Sequence, residues 1–273
     1  MQQQSESQDR LTGNLLLLLA GLAALGSLAT NIILPAFPEM AGELGTSVKD
    51  LSATLASFFV AFAVGQLFVG PLSDRFGRKW LVVSGLMVFV AGSVLCAFAD
   101  SLSQLIIGRI VQALGVCATS VLSRAIARDL FEGEALAHAL SLIMVAMAAA
   151  PGFSPLLGGA LNSALGWRST FGVVALLAVL LGMRYWSQLG ETHGADKRAP
   201  LSIAAILKTY GELLRDRRFI APALSVSLVI GSLYMFFAMA PAILMAGFGF
   251  APLGLSLFFA STVFVVFGAG ILA

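Results

Sequence analysis

Gly70-Pro71-Leu72-Ser73-Asp74-Arg75-Phe76-Gly77-Arg78-Lys79 crowds four charged side chains into a turn between two long apolar stretches. The flanking stretches, about residues 51–72 and 80–99, are each long enough to cross the roughly 30 Å of a bilayer's hydrocarbon core. Charges at this density do not dissolve in hydrocarbon, so the turn belongs at a membrane face. Gly70 offers a neighbouring helix a close approach, and Gly77 relieves a tight backbone. Asp74 precedes Arg78 by four residues, so the two pair if the turn is helical. Anchoring of topology accounts for Arg75, Arg78 and Lys79, but not for the acid or the glycine spacing.

Apolar stretches of the same kind recur outward from this turn. They predict spans at about 14–36, 51–72, 80–99, 103–124, 137–161, 169–186, 220–242 and 252–273, an all-α polytopic membrane protein of eight helices. Composition agrees: the chain is 59% hydrophobic and 11% charged, with mean hydropathy +0.94, whereas soluble domains carry about 25% charged residues. A net charge of +2 with no basic tract gives no reason to expect a nucleic-acid partner. Met1 to Gly13 is polar with Arg10 its one basic residue, and the run Asn14 to Pro35 is too long for a signal-peptide core, so it reads as a retained first span.

Basic residues set the orientation. With the N-terminus inside, Arg10, Arg75, Arg78, Lys79, Arg124, Arg128, Arg184, Lys197, Arg198, Lys208, Arg215, Arg217 and Arg218 fall on the cytoplasmic side; only Lys49 and Arg168 fall outside, and Arg109 lies within a span. The expected organisation is a six-helix bundle over 1–186, a cytoplasmic connection over 187–219 and the first two helices of a second bundle over 220–273. Leu201 to Leu214 carries Ile203, Ile206, Leu207, Leu213 and Leu214 at helical spacing beside Lys208, Glu212 and Arg215; it is either an amphipathic helix on the membrane face or a partly ordered linker. Gly268 to Ala273 resembles mid-membrane sequence, which leads us to expect a chain truncated after helix eight.

Arg109, in Gly108-Arg109-Ile110-Val111-Gln112, sits inside the fourth span. Burying it costs at least ~2.5 kcal/mol on insertion scales, so it either faces a cavity or partner shared with Gln112 or snorkels to the outer headgroups. The fifth span holds Pro151, Ser154, Pro155, Gly158 and Gly159, a combination that predicts a kinked, closely packed helix. Cys96 and Cys117 read as a disulfide or as small packing residues. His138 and His193 are isolated and read as solvated, and no metal-ligand spacing or cofactor motif is present. Paired aspartates, a Ser/His arrangement and H-E-x-x-H are all absent from the spans, so the reading is not an enzyme.

Residues 70–79 resemble the signature G-x-L-A-D-R-x-G-R-K of the major facilitator superfamily, with Ser73 in place of alanine. The resemblance implies a major facilitator fold and a conformational latch built from Gly70, Asp74, Arg75, Gly77, Arg78, Lys79 and Asp129. In the family the aspartate rests on helix eleven, which this chain lacks. Arg109 and Gln112 match the helix-four motif R-x-x-Q-G, associated with proton transfer, except that Ala113 replaces the glycine. Residues 151–159 resemble the antiporter motif G-P-x-x-G-G, with Ser154 replacing a glycine, and Gly166-Trp167-Arg168 with Phe171 resembles the five–six connection.

Leu28 to Pro38 is similar to T-D-x-Y-L-P-A-x-P of the bicyclomycin/chloramphenicol-resistance (Bcr/CflA) branch. Here Asn31 stands where that branch has an acid, and Ile33 where it has an aromatic residue. Asparagine accepts and donates hydrogen bonds but does not carry a proton. The resemblance implies export of small amphiphilic molecules from a bacterial inner membrane by proton antiport and alternating access. The expected unit is a monomer in the lipid bilayer, its cavity near Asn31, Arg109 and Gln112, with Tyr234 and Phe236 facing either cavity or lipid. The absence of a fixed acid points to neutral or anionic cargo. An uptake symporter of the same fold and a non-transporting membrane protein are the competing expectations.

Overall fold

The computed structural model describes residues 2–194, 196, 198, 203–251 and parts of 254–261. Among the described residues every regular element is helical, and six helices are long and apolar enough to cross a bilayer. The eighth expected span, 252–273, lies mostly outside the described residues.

Helix α1 runs Gln2–Asn31 and stops short of the expected boundary at 36. Pro35 and Pro38 have no N–H to continue the ladder, so the chain passes through a 3-10 turn, Leu34–Ala36, into the short α2, Phe37–Glu43. Helix α3, Val48–Phe76, starts on Ser47, whose hydroxyl accepts the amide of Asp50 at 3.0 Å. It ends at Gly77, whose φ of +93° only glycine holds without strain. Helix α4 (Arg78–Ala97) therefore begins with only Gly77 between it and α3. Helix α5 (Leu102–Leu130) is capped by Ser101; α6 (Gly133–Leu165) and α7 (Arg168–Gln188) are separated by Gly166, with φ +77°, and Trp167.

Helices α1 and α5 are the most buried and form the centre of the bundle, with α3, α4, α6 and α7 around them. Helices α4 and α5 meet through small residues: a β-carbon at Gly85 would lie 2.7 Å from the Gly115 carbonyl, and one at Gly92 would overlap the backbone of Gln112. Close backbone approach of this kind maximises dispersion contact where lipid offers no hydrophobic drive between helices. The outward faces are apolar too, with Val60, Leu67 and Phe68 on α3, Met87 on α4, and Leu176 and Met183 on α7 all exposed. Such a surface suits hydrocarbon and not water. Cys96 and Cys117 are buried free thiols, so of the two readings it is packing that applies.

Beyond the bundle, α8 (Ile203–Arg215) is a helix, as the amphipathic reading of 201–214 requires; Leu201 and Ser202 lie outside the described residues. Helix α9, Arg217–Pro241, begins three residues before the expected seventh span and continues into a π-helical turn, Ala242–Gly247.

Candidate functional site

The charged turn folds back onto its own helix and onto α5. Arg78 Nη1 donates to Asp74 Oδ1 at 3.0 Å and, more closely, to the hydroxyl of Ser73; Arg78 Nε donates to Asp129 Oδ2 at 3.2 Å. The hydroxyl of Ser73, which stands where the signature has alanine, also donates to the Gly70 carbonyl at 2.9 Å. One guanidinium thus ties the ends of α3, α4 and α5 together with charge-assisted bonds. Arg75 stands apart, its guanidinium 5.5 Å from the Phe76 ring, and Lys79 lies 4.3 Å over Trp186 on α7. A β-carbon at Gly70 would meet nothing within 4 Å among the described residues, so the close neighbour expected there is not among them.

Two residues of this network had no signal in the spacing. Glu191 accepts the backbone amides of Arg78 at 2.7 Å and Lys79 at 3.3 Å, capping the first turn of α4. A carboxylate there satisfies orphan donors and complements the helix dipole. Thr192 donates to Asp129 Oδ2 at 3.1 Å. A side chain at Gly77 would collide with the Glu191 carboxylate, a second reason for glycine at that position.

Arg109 is fully buried in the middle of the bundle and does not snorkel. Its Nη1 donates to the Ala29 carbonyl at 3.1 Å and to Gln112 Oε1. Gln112 Nε2 donates to Ser93 Oγ at 2.8 Å, which donates to the Phe89 carbonyl at 2.8 Å. The guanidinium lies 4.3 Å over the Phe58 ring, and among the described residues its Nε and Nη2 have no hydrogen-bond partner. These partners are all neutral, whereas a buried charge is ordinarily paired. The side-chain bond of Asn31 lies outside this chain: its Nδ2 donates at 2.8 Å to the Ser27 carbonyl of its own helix, two residues before the carbonyl that Arg109 takes.

Helix α6 carries the proline-glycine stretch against α1. Pro151, Ser154, Pro155 and Gly158 are buried and Gly159 partly so, with the Ser154 hydroxyl turned back onto the Ala150 carbonyl. A β-carbon at Gly158 would overlap the carbonyl oxygen of Ile32, at the residue where α1 has just ended. The motif and the break in helix one are therefore a single contact. At the other end of the bundle, Glu43 accepts from Trp167 Nε1 at 3.0 Å and pairs with Arg168, while Asn162 Nδ2 donates to Glu39 at 2.7 Å. On α9, Phe236 packs at 6.3 Å from Phe259; the Tyr234 side chain lies outside the described residues.

The family model described as Major Facilitator Superfamily matches residues 19–273. The chain is 36% identical over 244 residues to the uncharacterized MFS-type transporter YdgK of Bacillus subtilis (strain 168), covering 89% of this chain and 61% of that one. It is 32% identical over 246 residues to a chloramphenicol resistance protein of Pseudomonas aeruginosa, covering 90% and 58% respectively. The chain thus spans about three fifths of the length of these relatives. A crystal structure of a bacterial homolog to the human lysosomal transporter Spinster, inward-facing and unoccupied, aligns with a TM-score of 0.73 at 19% identity, covering 96% of this chain and 62% of that one. At that identity the likeness is one of fold.

Proposed function

The chain belongs to the Major Facilitator Superfamily, a family of multi-pass membrane transporters and not of enzymes, and we propose that it acts as a secondary transporter exporting small amphiphilic molecules by alternating access. The observation that carries this reading is the buried polar chain Ala29–Arg109–Gln112–Ser93, which spends a full positive charge at the centre of a lipid-facing bundle. Intramembrane charges of this kind mark substrate or ion pathways. Among the described residues the hydrogen-bond partners of Arg109 include no carboxylate, and the acids of the six spans sit at helix ends, which favours neutral or anionic cargo over cations. Export over uptake is supported by the likeness of residues 151–159 to the antiporter motif and by a resistance protein among the relatives.

Protons are the proposed coupling ion. Asn31 does not carry one, and a guanidinium stays protonated, so the proton carrier in this proposal is an acid other than residue 31. Gly70, Asp74, Arg75, Gly77, Arg78, Lys79 and Asp129 form the proposed latch on the cytoplasmic face, with Glu191 and Thr192 added to it. The basic turns support an N-terminus inside, and we take the protein as a monomer of a bacterial inner membrane, with 1–186 as its first bundle, 187–219 as the connection and 220–273 opening a second. Accumulation of a fluorescent amphiphile in cells expressing the intact gene tests the proposal: expression is expected to lower accumulation, and an uncoupler to restore it. Equal accumulation with and without expression, for neutral, anionic and cationic dyes alike, contradicts it.

A further inference from the structure

A proline inside a membrane helix leaves a carbonyl behind. Pro71 lies within α3, and without an N–H it does not donate to the carbonyl four residues earlier, that of Leu67. Inside a bilayer no water takes up such a group, and a neighbouring element has to satisfy it. The hydroxyl of Tyr210 donates to the Leu67 carbonyl at 2.6 Å, from 143 positions further along the chain.

Tyr210 sits on α8, three residues after Leu207 and four before Leu214, so the three share one face. Leu207 and Leu214 are exposed, while Lys208 and Glu212 pair at 3.9 Å on another face. An amphipathic helix of this pattern lies in the membrane interface with its apolar face inward. Tyrosine on that face presents an apolar ring and a polar tip, which is what reaching a carbonyl at this depth requires.

We propose that Tyr210 is a clasp fastening the α8 connection to the first bundle, and that Pro71 creates the clasp's receptor by freeing the Leu67 carbonyl. Pro71 precedes Asp74 by three residues, so α8 is tied to the helix end that carries Ser73 and Asp74. The other end of α8 leads through Asp216 alone into α9, which also touches α3. The clasp therefore joins the charged turn to the first helix beyond the connection. It goes beyond the transport reading and holds for export and uptake alike.

Hydrogen exchange on the chain in phosphatidylcholine/phosphatidylglycerol nanodiscs tests this. Tyr210→Phe keeps the ring and removes the donor, and is expected to speed exchange over residues 203–215 about fivefold, the effect of one ordinary hydrogen bond, with α5 unchanged. Pro71→Ala supplies the missing N–H to the Leu67 carbonyl, in competition with Tyr210, so it too is expected to loosen α8. The double variant is expected to exchange no faster than either single one. No change over 203–215 in Tyr210→Phe overturns the clasp. So does a double variant whose effect is the product of the two singles, or a rise that spreads equally to α5.

Discussion

Gly158 on α6 and Ile32 on α1 approach so closely that a β-carbon at residue 158 would overlap the Ile32 carbonyl oxygen. The atom in the way is backbone, which does not swing aside as a flexible side chain would. Gly158→Ala is therefore expected to push the two helices apart and cost about 1–3 kcal/mol, the usual range for overpacking. Gly172→Ala serves as the control, because nothing lies within 4 Å of a β-carbon there. Thermal unfolding in detergent is expected to show a lower Tm for Gly158→Ala only. Equal behaviour of the two variants contradicts the contact.

Arg109 holds its place through geometry as well as charge. Arg109→Ala strands Gln112 Oε1 and the Ala29 carbonyl, at about 1–3 kcal/mol for each buried group left unsatisfied. Lysine keeps the charge and one nitrogen for the two acceptors, but not the planar guanidinium that stacks on Phe58. Transport is expected to fall more than tenfold in Arg109→Ala and to stay low in Arg109→Lys, with both proteins reaching the membrane. Full activity in Arg109→Lys would show that charge alone suffices.

The turn network is partly solvent-exposed, with 49% of the Asp74 side chain accessible, so its loss is expected to change stability little, by about 0.2–1 kcal/mol per pair. Its effect is expected in turnover instead. Asp129→Asn, Arg78→Gln and Glu191→Gln should each slow transport while Tm shifts by only a few degrees. The Arg78→Gln/Asp129→Asn double variant should be no slower than the worse single one, because both remove the same 3.2 Å pair. Additive slowing would mean that the two residues act separately.

Much of this architecture was legible before any coordinates. Six spans and the short turn after Phe76 follow from runs of apolar residues against charged ones, since length in lipid is a one-dimensional property. Arg109 and Gln112 are one helical turn apart, so their pairing was readable from spacing. Glu191 was not: its partners Arg78 and Lys79 lie more than a hundred residues away, and no periodicity links a linker carboxylate to a helix start. The break at Asn31 was missed for a different reason. Residues 32–36 remain apolar, so hydropathy runs on where the prolines stop the backbone ladder.

Asn31 offers a gain-of-function test. Asn31→Asp introduces an acid at the end of α1, two residues after the one whose carbonyl Arg109 engages. Export is expected to shift toward cationic compounds, with weaker export of anionic ones, measured as relative rates across a panel of matched charge variants. An unchanged charge preference would place cargo recognition elsewhere.

The central claim is proton-coupled export, and everted membrane vesicles carrying the intact gene product test it most directly. On imposing an inside-acid pH gradient, a neutral or anionic amphiphile is expected to accumulate in the vesicles, to leave again when the gradient is collapsed, and to be excluded in Arg109→Ala vesicles. Accumulation that is absent for every compound in the panel, or that is unaffected by collapsing the gradient, would contradict the account.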